Sequence, residues 1–92
     1  MIQGFRCRDT QKLFEGGSPR RFRAFKDAAV RKLTYLDSAA ELRDLASPPG
    51  NHLEKLGGDR KGQHSIRIND QWRVCFEWTK AGPANVEIVD YH

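Results

Sequence analysis

The sequence predicts an α+β domain of two layers, in which helices cover one face of a mainly antiparallel sheet. Apolar residues recur at helical spacing between residues 19 and 46, and apolar and polar residues alternate after residue 62, as in strands. A short alternating run also opens the chain. The predicted order is therefore β-α-α(α)-β-β-β, which gathers the helices on one side of the sheet.

The composition fits one small domain with an anionic partner. Ninety-two residues suffice for a single hydrophobic core, so we treat residues 1–92 as one domain. A net charge of +4 and a pI of about 9.4 favour a polyanion. No run approaches the ~20 apolar residues that cross a bilayer, so a cytoplasmic protein without a membrane partner is expected. Cys7 and Cys75 form no C-x-x-C pair, which favours buried thiols over a disulfide or a metal site.

The first elements are a strand and a short helix. Met1–Arg8 alternates as a strand, and Asp9 is a plausible N-cap for a helix through Phe14. Gly16 and Gly17 tolerate left-handed backbone conformations and should end that helix.

A longer helix should begin at Ser18-Pro19, an N-cap followed by a first-turn proline. Its apolar residues fall within about 80° of arc and should pack on the sheet; they are Phe22, Phe25, Ala29, Leu33 and Leu36. The other side and the flanks carry the cations Arg20, Arg21, Arg23, Lys26, Arg31 and Lys32. A solvated face is the favoured interpretation of these cations, and the alternative is a contact surface for the phosphate backbone of a large RNA.

A second helix is predicted from the capping box Ser38-x-x-Glu41, with Asp37 marking the break between the helices. The prolines and glycine of Ser47–Asn51 should make an exposed connection. In the linker that follows, we expect Leu53 and Leu56 to be anchored, while His52 and Lys55 face solvent or substrate.

Two β-rich runs, Gln63–Ile68 and Trp72–Trp78, predict a β-hairpin. A two-residue loop would send the apolar residues of the two strands to opposite faces of the sheet, so we infer a three-residue loop, Asn69–Gln71. This register pairs Ile66 with Val74.

On the reverse face the same register sets Arg67 opposite Arg73, and we call these residues the arginine pair. Like charges directly opposite each other are unfavourable. On an uncovered face, the pair is most easily understood if an anion such as phosphate lies between the two guanidinium groups. On this interpretation either arginine could be replaced without loss of stability.

A last strand is predicted over Asn85–Tyr91. If its apolar residues Val86 and Ile88 face the helices, Tyr91 shares the outer face with the arginine pair. The terminal His92 would then lie beside that surface.

This cluster suits RNA cleavage without a metal ion, which needs a base for the 2′-hydroxyl, cations at the phosphate and an acid for the leaving 5′-oxygen. His92 fits either proton-transfer role, Tyr91 could stack on a base or orient a hydroxyl, and Arg73 could grip the scissile phosphate. Further candidates are Lys55 and Arg60 for positive charge and Asp90 for orienting a side chain. Taken singly, Tyr91, His92 and Asp90 are better explained as a strand aromatic, a frayed terminus and a strand-end cap. Their convergence with Arg73 favours a site.

The spacing of the histidines does not favour a metal site. His52, His64 and His92 are scattered along the chain, so no metal ion and no cofactor is expected. His64 alternates onto the core face with Ile66 and is expected to be packed there.

The ordered set G-D-R-x-G, then S-I-x-x-x-x-x-W-R-V, then a terminal D-Y-H resembles the HigB toxins of the RelE superfamily. The likeness covers essentially the whole chain. It implies the RelE-like layout with an active outer sheet face, and a toxin that cleaves mRNA on the 70S ribosome and so inhibits translation and growth. It places Arg73 at the family's strand arginine and Asp90, Tyr91 and His92 at its catalytic C-terminal positions. It also implies a HigA-type helix-turn-helix antitoxin, with operator DNA bound only through that partner.

One departure from the family pattern leaves the acid and base roles open. Some HigB proteins carry a histidine before G-D-R, where this chain has Glu54 followed by Lys55. The candidate RNA-binding residues are Arg20, Arg21, Arg23, Arg60, Lys61 and Arg67. Two alternatives are a gyrase-directed toxin of the ParE type, which shares the fold, and a non-catalytic RNA- or ribosome-binding module.

Overall fold

The computed structural model describes residues 1–91, and within them a four-stranded antiparallel sheet carries two α-helices on one face. The helices are α1 (Arg8–Phe14) and α2 (Lys26–Ser38), and the strands are β1 (Glu54–Lys55), β2 (Gln63–Arg67), β3 (Trp72–Thr79) and β4 (Gly82–Asp90). Short 3₁₀ helices lie at Arg20–Phe25, Leu42–Ala46, Pro49–Asn51 and Gly58–Arg60. The sheet order is β1-β2-β3-β4. The predicted α+β, two-layer class is confirmed.

The core lies between the sheet and the helices. Its buried apolar residues come from both layers and are Leu13, Phe22, Ala29, Leu33, Leu36, Leu45, Ile66, Ile68, Val74, Phe76, Val86 and Ile88. Within residues 1–91, no helix combines the length and apolar character that a membrane span needs.

The opening segment, predicted as a strand, forms an isolated parallel bridge between Phe5 and Val86 instead, and the Gln3 amide donates to the Pro83 carbonyl at 2.7 Å. The predicted N-cap is wrong, because α1 begins at Arg8 with Cys7 as its N-cap, and Asp9 lies inside the first turn. Gly16, with φ of +102°, ends α1 as predicted, and its amide donates to the Leu13 carbonyl.

The long helix predicted after Pro19 forms as two segments. Residues Arg20–Phe25 are a 3₁₀ helix, and α2 begins at Lys26. At the junction Phe25 has φ −131° and ψ 26°, and its ring stacks on Trp72 with centroids 4.9 Å apart. Most of the predicted apolar face is fully buried, but Lys32, predicted to face outward, is only 7% exposed.

The capping box that was predicted at Ser38 lies three residues later. Ser38 is the last residue of α2, and its hydroxyl donates to the Thr34 carbonyl. Glu41 is the N-cap of a 3₁₀ helix instead, and its amide donates to the Asp44 carboxylate at 2.9 Å. Asp37 does not break the helix: its carboxylate accepts from the Ile2 amide at 2.8 Å and so ties the N-terminus to α2.

The hairpin has the predicted register, with Ile66 opposite Val74 and Arg67 opposite Arg73. The side chain of Asn69 holds the loop, because its Oδ1 accepts hydrogen bonds from the amides of Gln71 (2.9 Å) and Trp72 (2.8 Å). Such bonds from an asparagine to its own turn are a common way to fix a short loop.

The last strand is longer than predicted, running over Gly82–Asp90 with a register shift opposite Cys75 and Glu77. Val86 and Ile88 face the core as predicted.

His64 faces the helix layer, as its alternation with Ile66 predicts, and stacks on Phe76 with ring centroids 6.2 Å apart. Burial, and to a smaller extent the charge of Lys55, lowers the pKa of its imidazole. A lowered pKa keeps the ring neutral inside the fold.

The sequence missed β1, which pairs antiparallel with β2 through Glu54 opposite Ser65. The segment before β1 wraps around this edge of the sheet. Its anchor is Asn51, which is fully buried although the connection was predicted to be exposed. Asn51 Oδ1 accepts from Lys32 Nζ at 2.6 Å, and its Nδ2 donates to the carbonyls of Leu45 (3.1 Å) and Ser47 (3.2 Å). Burial and the nearby charges of Arg31 and Arg67 lower the pKa of Lys32.

Replacing Asn51 with Ala should lower the free energy of unfolding by about 2 to 4 kcal/mol, because a buried ammonium and two carbonyls lose their partner. The matched control is Gly50→Ala in the same segment, where an added Cβ meets no atom within 4 Å and should change stability by less than about 0.5 kcal/mol. Urea titrations of both variants measure the difference. Equal losses in the two variants would show that the hydrogen bonds of Asn51 add nothing to stability.

Candidate active site

The outer face of the sheet, turned away from the helices, is set by strand alternation. Two cross-strand rows lie on it. One contains Glu54, Ser65, Cys75 and Glu87, and the next contains Arg67, Arg73 and Val89. Glu54 therefore shares a face with the arginine pair, whereas Lys55, opposite His64, points to the other side.

A cleft of about 240 Å³ opens on this face beside the hairpin turn, and we call it the arginine cleft. Its lining comes from β1 and the segment before it, from the hairpin and from the chain end: His52, Glu54, Arg67, Asn69, Asp70, Arg73 and Tyr91. The structure thus brings together three predicted site residues, Arg67, Arg73 and Tyr91.

The sequence suggested that Arg73 lies on an uncovered face. In the structure the residue is covered and only 8% exposed. Its Nε donates to Ser65 Oγ at 2.7 Å, and its Nη2 donates to the His52 carbonyl at 2.5 Å. Its Cζ lies 5.8 Å from the Tyr91 ring centroid. Among residues 1–91 its hydrogen bonds use Nε and Nη2, which leaves Nη1 for a ligand in the cleft.

Each member of the arginine pair has a carboxylate neighbour. Arg67 bonds to Asp70 in the turn, and Arg73 Nη2 lies 3.9 Å from Glu54 Oε2. The register behind the pair is confirmed, but the premise that no protein group offsets the two charges is wrong. The Asp70 side chain is 95% exposed, so an entering phosphate can displace it from Arg67 at a small energetic cost.

The C-terminal candidates divide between the two faces. Tyr91 lies at the cleft, where its amide donates to the Gln71 carbonyl at 2.7 Å. Asp90 pairs with Trp72 on the opposite face and accepts from Gln71 Nε2 at 3.0 Å, and it does not line the cleft. The predicted role of His92 lies outside the described residues.

Arg60 and Lys61 lie outside the cleft lining. Arg60 Nη1 donates to Glu87 Oε1 at 2.8 Å and to Gln63 Oε1 at 3.1 Å. The hydrogen bond to Glu87 raises the pKa of Arg60 above its usual value. Arg60 is thus held against the outer face, and Lys61 beside it is exposed.

Of the three predicted RNA-binding arginines before α2, only Arg23 lines a second depression, and Arg20 and Arg21 lie outside its lining. Arg21 lies 3.8 Å from Asp9, and Arg23 donates to the Ser18 carbonyl at 3.2 Å, while Arg20 is exposed. This depression is an open groove of about 570 Å³ at the start of α2, and we call it the basic groove. Its charged lining residues are Arg23, Lys26, Asp27 and Arg31. Asn69 lines both this groove and the arginine cleft, so the two depressions adjoin at this residue.

Sequence reasoning missed Glu54, Asn69 and Asp70 as lining residues, whereas His52 was expected to face solvent or substrate. Glu54 could have been found by treating residues 54 and 55 as a strand. Alternation then puts Glu54 and Lys55 on opposite faces of the sheet.

Comparisons with known proteins agree on one family. The family model for the RelE-like toxin of the type II toxin-antitoxin system HigB matches residues 4–92. Toxin HigB-1 of Vibrio cholerae is 47% identical over 55 residues, which is 60% of this chain and 58% of that protein. An uncharacterized protein of Haemophilus influenzae is 40% identical over 49 residues, 53% of this chain and 48% of the relative. The match thus spans about half the length of these two relatives.

One relative aligns along its whole length. The Endoribonuclease HigB of Proteus vulgaris is 30% identical over 93 residues, 100% of both chains. Among solved structures, the YoeB-YefM complex from Staphylococcus aureus contains a chain that matches with a TM-score of 0.58 and 17% identity, over 100% of this chain and 98% of that one. At this identity the likeness shows the fold, and it confirms the predicted RelE-like layout.

The two arginines should differ in their effect on stability. Arg73→Gln should lower the free energy of unfolding by about 1 to 3 kcal/mol, because the His52 carbonyl and the Ser65 hydroxyl lose a charged donor. Arg67→Gln removes an ion pair with an exposed carboxylate and should change stability by less than about 1 kcal/mol. Thermal melts of both variants measure this. If Arg73→Gln were as stable as the wild type, the position of the segment before β1 would not depend on the Arg73 guanidinium.

Proposed function

The chain belongs to the HigB-like toxin family of type II toxin-antitoxin systems, and from this premise we propose that it is an endoribonuclease that cleaves mRNA on the 70S ribosome. Such cleavage inhibits translation and stops growth, and its target places the toxin in the cytoplasm. The observation that carries the proposal is the arginine cleft, where Arg67, Arg73 and Tyr91 meet next to the chain end. Endoribonuclease is also the activity in the name of the Proteus relative that aligns along the whole chain.

In the proposed reaction the cleft binds the phosphate that is to be cut. Arg73 offers Nη1 from a fixed guanidinium, and Arg67 exchanges the Asp70 carboxylate for a phosphate oxygen. Donors held in place before substrate arrives stabilise the growing charge without reorganising. Tyr91 stacks on a base or orients the 2′-hydroxyl, and His92 transfers a proton. These steps need no metal ion and no cofactor.

The charge balance of the cleft supports dependence on the ribosome. Among the described residues, the two arginines face two carboxylates, Glu54 and Asp70, so free RNA meets little net attraction. A nuclease of this kind gains most from a partner that positions the substrate, because fixing two reactants in the right geometry lowers the barrier by several kcal/mol.

The basic groove is the proposed contact surface for RNA backbone beyond the scissile phosphate. Its cations outnumber its single acid, and it shares the lining residue Asn69 with the arginine cleft, so one bound ribosome complex would reach both. Lys32, which the sequence grouped with these cations, is buried and has no part in this surface. Phosphate contacts of this kind give affinity without sequence specificity.

The proposed antitoxin is a HigA-type helix-turn-helix protein that neutralises the toxin and supplies all contacts with operator DNA. Family membership supports an antitoxin partner. Co-expression with the adjacent small gene should therefore restore growth.

The function is tested by single-turnover cleavage of a programmed ribosome complex, beside naked RNA of the same sequence. Cleavage on the ribosome and none on naked RNA is expected, together with growth arrest on induction. Growth arrest with DNA breaks and an SOS response, but with intact mRNA, would instead identify a gyrase-directed toxin. Salt-sensitive RNA binding without a product would identify a non-catalytic module.

Neutralising Arg23, Lys26 and Arg31 together by substitution with Gln should weaken ribosome binding and reduce the salt slope of the association constant by about 2, following roughly 0.7 per phosphate contact. The single-turnover rate at saturating protein should stay close to that of the wild type. The control is a triple variant with equal charge loss away from the groove, in Lys12, Arg43 and Lys80. If both triple variants lost affinity equally, net charge rather than the groove would explain the binding.

A further inference from the structure

The carbonyl of His52 helps to hold Arg73 in place, so the geometry of the arginine cleft depends on where this carbonyl lies. Arg73 Nη2 donates to it at 2.5 Å. The backbone of His52 is left-handed, with φ of +44°, a conformation that costs energy in a residue other than glycine and persists only where neighbouring contacts enforce it. The contacts that enforce it here therefore also set the position of the guanidinium.

Asn51, the residue before His52, supplies these contacts. Its Nδ2 donates to two carbonyls of the turn that leads to it, and its Oδ1 accepts from Lys32 Nζ at 2.6 Å. The side chain of Asn51 is fully buried, so none of these bonds competes with water. The turn is thus tied to α2 on one side and presents the His52 carbonyl to Arg73 on the other.

Stability of the core does not explain why a lysine occupies position 32. The residue is only 7% exposed, and its ammonium donates to a neutral amide. Burial lowers the pKa of this ammonium, which shows that the charge is costly here. An aliphatic side chain of similar size would fill the same space without that cost. The hydrogen bond of Lys32 is better explained by the position that it gives to Asn51.

We propose that Asn51 and Lys32 are positioning residues for the cleavage reaction, because they fix the His52 carbonyl and so hold the Arg73 guanidinium where the scissile phosphate binds. The inference rests on the proposed function, and it extends the site from the cleft into the helix layer. Neither residue lines the arginine cleft, so each acts through the turn at His52. A misplacement of about 1 Å in a substrate-binding group can lower a rate by about 10²-fold, which makes a bond in the helix layer relevant to the chemistry.

The first measurement is single-turnover cleavage of a programmed ribosome complex by Asn51→Ala and Lys32→Met, with ribosome affinity determined separately. Both variants remove the bond between the two side chains. Each should lower the rate by about 10- to 100-fold, as a small misplacement of the phosphate-binding group does. Affinity should stay close to that of the wild type, because neither residue lines the basic groove. If Asn51→Ala does not fold, Lys32→Met decides, since it keeps the bonds of Asn51 to the turn.

The matched control is Thr10→Val in α1. Thr10 is fully buried, and its Oγ1 accepts from the Ile88 amide at 3.0 Å. Replacement by Val, which has the same shape, removes a buried hydrogen bond as Asn51→Ala does, but at a residue that lines neither the arginine cleft nor the basic groove. This variant should be less stable than the wild type and should cleave at the wild-type rate at a temperature where thermal melts show that it is folded.

The second measurement reports the position of Arg73 without any RNA. The Nε–H of Arg73 donates to Ser65 Oγ at 2.7 Å, and its proton–nitrogen NMR signal is identified by its absence in Arg73→Gln. In Asn51→Ala and Lys32→Met this signal should shift, and its proton should exchange faster with water. Thr10→Val should leave the signal and its exchange rate unchanged.

Three results would overturn the inference. A wild-type rate in folded Lys32→Met would show that its bond to Asn51 does not set the geometry of the cleft. A loss of rate with an unchanged Arg73 signal would exclude an effect through the guanidinium. An equal loss of rate in Thr10→Val would assign the effect to lower stability. A wild-type protein that binds the ribosome but cuts no RNA would instead refute the proposed nuclease, and the Arg73 signal would still show whether the two residues hold the guanidinium.

Discussion

The buried guanidinium of Arg73 is the contact on which the site depends. A charge that is almost fully buried must be compensated, and Arg73 achieves this by bonding to Ser65 in β2 and to the carbonyl of His52. The same contacts hold the segment before β1 over the outer sheet face and fix the guanidinium at the cleft. Fold and chemistry therefore share one side chain, and loss of activity on replacing Arg73 must be separated from loss of structure.

A second polar contact connects the segment before β1 to the helix layer. Lys32 in α2 donates to Asn51, and Asn51 holds the carbonyls of the segment that leads directly to His52. The chain thus passes around the edge of the sheet with a hydrogen bond from Lys32 on the helix side and one from Arg73 on the outer face. His52 itself adopts a left-handed conformation at φ +44°, which turns the chain into β1. These bonds bring the chain to β1, where pairing with Ser65 places Glu54 on the outer face.

The charges of the protein are divided between two surfaces. In the arginine cleft, two guanidinium groups are balanced by two carboxylates among the described residues, whereas the adjoining basic groove carries three cations and one acid. Under the proposed function, long-range attraction of RNA comes from the groove, and the cleft acts at short range through orientation. This separation lets affinity and chemistry be changed independently.

The sequence by itself determined the register of the β2–β3 hairpin, the core face of each long strand and the convergence of the arginine pair with Tyr91, because strand alternation has a period of two and one slip would expose the whole core. It did not determine β1, since two residues carry no periodic pattern. Nor did it determine the burial of Arg73 and Lys32 or the helix break at Phe25. Each of these follows from partners 19 to 47 positions away: Asn51 for Lys32, His52 for Arg73, and Trp72 for Phe25. Local sequence patterns determine which face of a helix or strand a side chain is on. The residues that it contacts on that face depend on tertiary packing.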